Sequence, residues 1–275
     1  ASLSSRPWNH DNESAYDPRG WSTLGRETSI QKVEWDDEGW PRIVGGHGGQ
    51  VEVDAPKDAI ITDAPLDHSR HDDFDDDVLD NDWNTLRVPF NAEMGSTGSG
   101  NLRLVGKNSL ASTFDVSLVA SRWQAFNFDA ETKVKFNPFS YQQMAGLTNF
   151  YNDKHWSWIF VTFDENKGRV IEVAENNRGN YTSYLKEDAI SIPANIEAVY
   201  FRTKVRKQTY TYEYSFDGKE WKEVPVKLDA AVLSDDYVLQ TYGGFFTGAF
   251  VGLAAVDYAG YDEPAEFDYF DYKEL

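Results

Sequence analysis

Polar and apolar residues alternate along most of this chain with a period of two. In AETKVKF (130–136), Glu131, Lys133 and Lys135 fall on one face, and Ala130, Thr132, Val134 and Phe136 on the other. That is the pattern of a strand with one face in a core and one in water. Val199, Phe201, Thr203 and Val205 alternate with Tyr200, Arg202, Lys204 and Arg206 in the same way. YTYEYSFDGKEWKEV (210–224) reads as a hairpin whose Asp217-Gly218 pair supplies the positive φ angles of a tight turn. The spacing predicts further strands at 85–90, 101–106, 114–120, 157–163, 169–175, 249–258 and 266–272. Helical periodicity is scarce. Many short strands separated by turn signals predict an all-β chain built as a β-sandwich or jelly roll.

The first 55 residues follow a different plan. IQKVEW (30–35) and WPRIV (40–44), joined by the turn DDEG, form one hairpin, and the glycine-rich GGHGGQVEV follows. A lone hairpin is marginal in water, so this one needs a sheet supplied from elsewhere. Residues 54–70, with two prolines and mixed charge, read as a linker, and the sandwich is expected to start near Asp72.

Charge narrows the range of partners. With 26 Lys plus Arg against 46 Asp plus Glu, the formal charge is -20. This repels phosphate backbones and anionic lipid, and no basic cluster offsets it, so neither nucleic acid nor a membrane is expected as partner. The chain has no cysteine, which excludes disulfides, thiolate nucleophiles and cysteine-based zinc sites. It contains no apolar run long enough to span a bilayer. The opening ASLSSRPWNHDNES lacks the basic and apolar regions of a signal peptide. Ala1 stands where a methionine would start a chain, so a processed terminus or the C-terminal piece of a longer protein is expected. The compartment stays open on these grounds, with a lean towards the cytoplasm.

Three features invite chemistry. The run 72–82 holds seven aspartates, and hard oxygen ligands suit calcium. DDFDDDVLDND nevertheless lacks the central glycine and closing glutamate of an EF-hand, and most of the run reads as a solvated turn. His10, His47, His68, His71 and His155 show no paired ligand spacing. The 9 Trp, 15 Tyr and 17 Phe suit either a sandwich core or sugar-stacking platforms, with Trp156 and Trp158 sharing one strand face and Tyr210, Tyr212 and Tyr214 another. A non-catalytic carbohydrate-binding β-sandwich module is therefore one reading of the chain. The hairpin 30–44 at its head favours part of an enzyme instead.

Three blocks carry a family resemblance. LGRETSIQKVEWDDEGWPRIVGG (24–46) resembles the segment that closes the catalytic β-propeller of glycoside hydrolase family 43 β-xylosidases. DDFDDDVLDNDWNTLRVPF (72–90) is similar to the opening of the sandwich appended to that propeller, and GGFFTGAFVGL (243–253) to its late motif. The resemblance implies a concanavalin A-like sandwich at 61–275, preceded at 1–60 by the last strands of a five-bladed propeller and a linker. It implies an inverting β-xylosidase, with α-L-arabinofuranosidase side activity, acting on xylo-oligosaccharides. Its catalytic carboxylates would come from earlier blades, before Ala1, so the chain is expected to be inactive alone and to complete the site when joined to the N-terminal propeller half. Homo-oligomeric assembly is also expected.

Arg26, in Gly25-Arg26-Glu27-Thr28, matches an arginine that reaches the sugar in the glycone subsite. Its alternative is a salt bridge to Glu27 or to a propeller carboxylate. Phe250, in Thr247-Gly248-Ala249-Phe250, matches a phenylalanine that a sandwich loop projects into the propeller's pocket, its alternative being core packing. The resemblance implies no required cofactor, and one structural calcium with Asp73 and Asp268 as its candidate ligands.

Overall fold

A computed structural model describes residues 2–8, 20–46, 49–60, 66–240 and 246–275. His10, His47 and the front of the 243–253 motif lie outside these residues. Two short pairs come first: β1 (Ser2–Ser4) with β2 (Glu27–Ser29), and β3 (Val33–Trp35) with β4 (Pro41–Ile43). The sandwich strands follow as β5 (Arg70–Asp72), β6 (Gly95–Ser96), β7 (Leu102–Val105), β8 (Ser117–Arg122), β9 (Asn127–Lys135), β10 (Gln143–Asn152), β11 (His155–Asp164), β12 (Gly168–Asn177), β13 (Asn180–Ser183) and β14 (Ile190–Ser191). The last five are β15 (Ala198–Arg206), β16 (Thr209–Ser215), β17 (Lys222–Asp229), β18 (Phe250–Asp257) and β19 (Pro264–Glu274), with helix α1 (Asp235–Leu239) between β17 and β18.

These strands form two antiparallel sheets. One runs β13-β12-β11-β10-β18-β8, with β14 beside β12; the other runs β17-β16-β15-β9-β19-β7-β6, with β5 beside β19. In the second sheet the predicted alternation holds. Along β9, Phe128, Ala130, Thr132 and Val134 are buried while Asp129, Glu131 and Lys133 reach the outer surface. In the first sheet both faces are buried, so β10, β11 and β18 read as nearly continuous buried runs. Ile159 and Val161 of β11 enter the main core between the sheets. Trp156, Trp158 and Phe160, on its other face, form a second cluster covered by Leu86, Leu110 and Val116 of the crossing loops. The aromatic residues suggested as sugar platforms are thus core: Trp156, Trp158, Tyr210, Tyr212 and Tyr214 are all buried.

A polar seam ties the two sheets across the core. Asn149 Nδ2 donates to Thr203 Oγ1 and to the Tyr212 hydroxyl, both at 3.0 Å. Ser157 Oγ lies 2.8 Å from the hydroxyls of Tyr210 and of Tyr212. Hydrogen bonds of this kind favour one register between sheets that apolar contacts alone would leave free to slide.

The hairpin β3–β4 closes on its own turn. Asp36 Oδ1 accepts from the nitrogens of Glu38 and Trp40, and Oδ2 accepts from Arg42 Nε at 2.8 Å. Its apolar side chains find no core: Trp35 is 73% exposed and Trp40 61%. Residues 20–26 behave differently, because Trp21 and Leu24 are buried against the sandwich, with Trp8 and Ala231 beside Trp21.

Candidate functional site

The site begins with how residues 22–26 are held. The Ser22 nitrogen donates to Asp236 Oδ2 at 2.7 Å, and its carbonyl accepts from the Asp235 nitrogen at 3.2 Å. The Thr23 carbonyl accepts from the Ala249 nitrogen at 2.7 Å, and the Leu24 carbonyl from Arg122 Nη2 at 2.6 Å. Gly25 then lies directly on Gly248, so GRET is fastened to the start of α1 and to the loop 246–249. α1 is placed by its cap: Ser234 Oγ accepts from the Tyr237 nitrogen at 3.1 Å, satisfying one of the donors that a helix start leaves open.

Asp235 is the centre of this junction. It is 4% exposed, and its Oδ1 accepts from the Tyr151 hydroxyl at 2.6 Å and from the Phe246 and Gly248 nitrogens at 3.3 Å. Its Oδ2 faces Arg26 Nε at 3.6 Å. Burial, followed by the neighbouring Asp235 charge, pushes the Tyr151 hydroxyl well above its usual range, so it stays protonated and donates. The Arg26 guanidinium lies over the Phe246 ring, 4.6 Å from its centroid. Phe246 has φ 102°, a region that side-chain-bearing residues rarely enter and that is found where surrounding structure enforces it.

Arg26 therefore does not pair with Glu27. That carboxylate is taken by Arg6, whose Nε and Nη2 donate to it at 2.8 and 2.7 Å. With one edge towards Asp235 and one face on Phe246, Arg26 makes no hydrogen bond through its terminal nitrogens among the described residues. A planar fork held this way can donate to two adjacent hydroxyls at once.

The other sequence candidates lie apart from this junction. Phe250 opens β18 instead of riding on a loop; it is half-buried, registers with Phe150 and Arg122, and packs on the second cluster. The loop position belongs to Phe246, which is 54% exposed. Asp268 is bound to Lys133 Nζ at 2.8 Å, and Asp73 accepts from the Asp75 nitrogen at 3.4 Å. Among the described residues no group of three or more His, Asp or Glu side chains is placed to hold a metal ion. Sequence reasoning missed Asp235 and Phe246. The cap-like Ser234-Asp235-Asp236 was the available signal for the first.

Comparison with known proteins agrees with this architecture. Residues 71–273 match the family described as the β-xylosidase C-terminal concanavalin A-like domain of GH43. A β-xylosidase of Bacillus subtilis is 44% identical over all of this chain and 51% of its own length. A putative β-xylosidase of Escherichia coli is 46% identical over 93% of this chain and 47% of its own length. In the crystal structure of xylan β-1,4-xylosidase from Bacillus halodurans, 38% identical, the matching part superposes with a TM-score of 0.83, covering 93% of this chain and 48% of that one. The chain spans about half the length of the curated relatives it matches. Its paired sheets and the match across them make it a member of the GH43 β-xylosidase C-terminal concanavalin A-like family.

Proposed function

We propose that this chain is the C-terminal part of an inverting β-xylosidase, with α-L-arabinofuranosidase activity, that hydrolyses xylo-oligosaccharides. Its partner is an N-terminal propeller half, and its own contribution is the wall of the glycone pocket. The observation that carries this reading is Arg26: a guanidinium held by Asp235 and Phe246 whose terminal nitrogens make no hydrogen bond among the described residues. In the assembled site Arg26 donates to two adjacent sugar hydroxyls. Phe246, lying against it, is the apolar wall that excludes water, and Phe250 supports that wall from behind.

The chain's buried carboxylates favour a catalytic pair located outside it. Glu172 accepts from the nitrogens of Val173, Leu185 and Lys186, and Glu175 accepts from the Tyr184 hydroxyl. Glu213 is bound by Arg202 and Lys204, and Asp257 accepts from the nitrogens of Ala259, Gly260, Tyr261 and Glu263. Each is spent on structure. Inversion needs an acid and a base about 6.5–9.5 Å apart around a water, and carboxylates engaged in this way are poor candidates for that pair. The exposed hairpin β3–β4, with Trp35 and Trp40 in water, supports a propeller partner, since its strand edges and apolar faces are what such a sheet would cover.

The test uses the chain joined to its N-terminal half, with aryl β-D-xyloside and aryl α-L-arabinofuranoside as substrates and NMR to read the first-formed sugar. Hydrolysis releasing α-xylose first is expected. β-Xylose released first from the xyloside would overturn inversion, and inertness towards both substrates would overturn the glycosidase reading.

A further inference from the structure

We infer that Asp235 is a positioning residue that sets the glycone affinity of the assembled enzyme by holding Arg26 and the Phe246 loop in one geometry. This rests on the reading of Arg26 as a sugar ligand. The carboxylate is divided between two tasks. Oδ1 gathers the Tyr151 hydroxyl and the Phe246 and Gly248 nitrogens, which restrains the loop at the point where Phe246 adopts its strained φ of 102°. Oδ2 is left for Arg26: it lies 3.6 Å from Nε, and neither atom makes a hydrogen bond among the described residues.

At that separation the link is charge attraction, which needs an ionised carboxylate and is strengthened by burial. The same group thus fixes the edge of the guanidinium and the ring on which its face rests. Removing the charge releases Arg26 to swing, and the fork then meets the sugar hydroxyls in the wrong plane. Substrate and transition state both use that fork, so the loss appears in KM more than in kcat. Asp235→Asn is the sharp probe. It keeps the shape and the Oδ1 acceptor, and it presents an uncharged amide to the Nε–H donor.

The experiment uses the full-length enzyme containing this chain, with Arg26→Ala, Asp235→Asn, Tyr151→Phe and the Arg26→Ala/Asp235→Asn double variant. KM and kcat for an aryl β-xyloside, the Ki of D-xylose and the melting temperature are measured on each. Asp235→Asn should raise KM and Ki about 10-fold with kcat within about threefold, and the double variant should bind within about threefold of Arg26→Ala alone. Tyr151→Phe, which loosens Asp235 without touching Arg26, should raise both constants about 2- to 4-fold and serves if Asp235→Asn does not fold. Unchanged KM and Ki in Asp235→Asn, or in Tyr151→Phe where it stands in, overturn the inference when Arg26→Ala loses binding. Losses that multiply in the double variant overturn it too. An Arg26→Ala enzyme that binds xylose normally overturns the reading of Arg26 itself, and this inference with it.

Discussion

Gly25 and Gly248 meet backbone to backbone. A Cβ on Gly25 would lie 2.4 Å from the Gly248 nitrogen, and one on Gly248 would lie 2.5 Å from the Leu24 carbonyl oxygen. Both residues have positive φ, 70° and 72°. This contact is what lets Arg26 and the Phe246 loop come together, because any side chain here would pry them apart.

Gly25→Ala and Gly248→Ala should therefore each destabilise the protein by about 2–4 kcal/mol, combining an unfavourable φ with a clash against backbone that cannot move aside cheaply. Melting should fall by roughly 4–12 °C. A melting temperature unchanged by either substitution would contradict the close packing.

Phe246 and Phe250 should respond oppositely to truncation. Phe246 is 54% exposed and lies against Arg26, so Phe246→Ala should leave melting nearly unchanged while lowering kcat/KM of the assembled enzyme by roughly 5- to 100-fold. Phe250 packs on the second cluster, so Phe250→Ala should cost about 1–3 kcal/mol of stability with a smaller kinetic effect. Melting and kinetics from one preparation of each variant decide the matter; a kinetic loss confined to Phe250→Ala would return the pocket role to Phe250.

The seam across the core gives a third expectation. Tyr212→Phe removes the hydroxyl shared by Asn149 and Ser157 while keeping the ring. Leaving buried polar partners short of a bond should cost about 1–3 kcal/mol, read as a lower denaturant midpoint at unchanged slope. A midpoint within error of the parent would show that the seam contributes nothing.

His155 sets a pH dependence. Burial, then the charges of Arg178 and Lys154, lowers it from its ordinary 6.5 to about 4, and its Nδ1 lies 2.9 Å from Asn152 Oδ1. The unfolded chain thus takes up a proton between about pH 6.5 and 4 that the folded protein refuses, so stability is complete above that window and declines as pH falls through it. The decline amounts to about 3 kcal/mol. His155→Gln should flatten this part of a melting-versus-pH curve. An unaltered slope would mean that other groups cause it.

The outer-facing strands were legible because water marks one of their faces: β9, β15 and the β16–β17 hairpin lie where alternation put them. β10 was invisible to the same test, since QMAGLTNFYN is buried on both faces and carries no period. Residues 85–90 failed in the other direction. TLRVPF alternates, but Arg87 adopts φ 65° and Thr85 Oγ1 bonds the Val88 carbonyl, making a loop that caps the second cluster with Leu86. At the site, GRET pointed to Arg26 through resemblance. Asp235 looked like any helix-start aspartate, and choosing among three nearby phenylalanines required knowing where β18 begins.

The most direct measurement is release of nitrophenol from 4-nitrophenyl β-D-xylopyranoside by rigorously purified chain 1–275, alone and combined with its N-terminal propeller half. No turnover by the chain alone and clear turnover by the combination are expected, because in the proposed reading Arg26 and Phe246 contact the sugar while the reacting carboxylates come from the other half. Hydrolysis by the lone chain, or none by the combination, would contradict that division of labour.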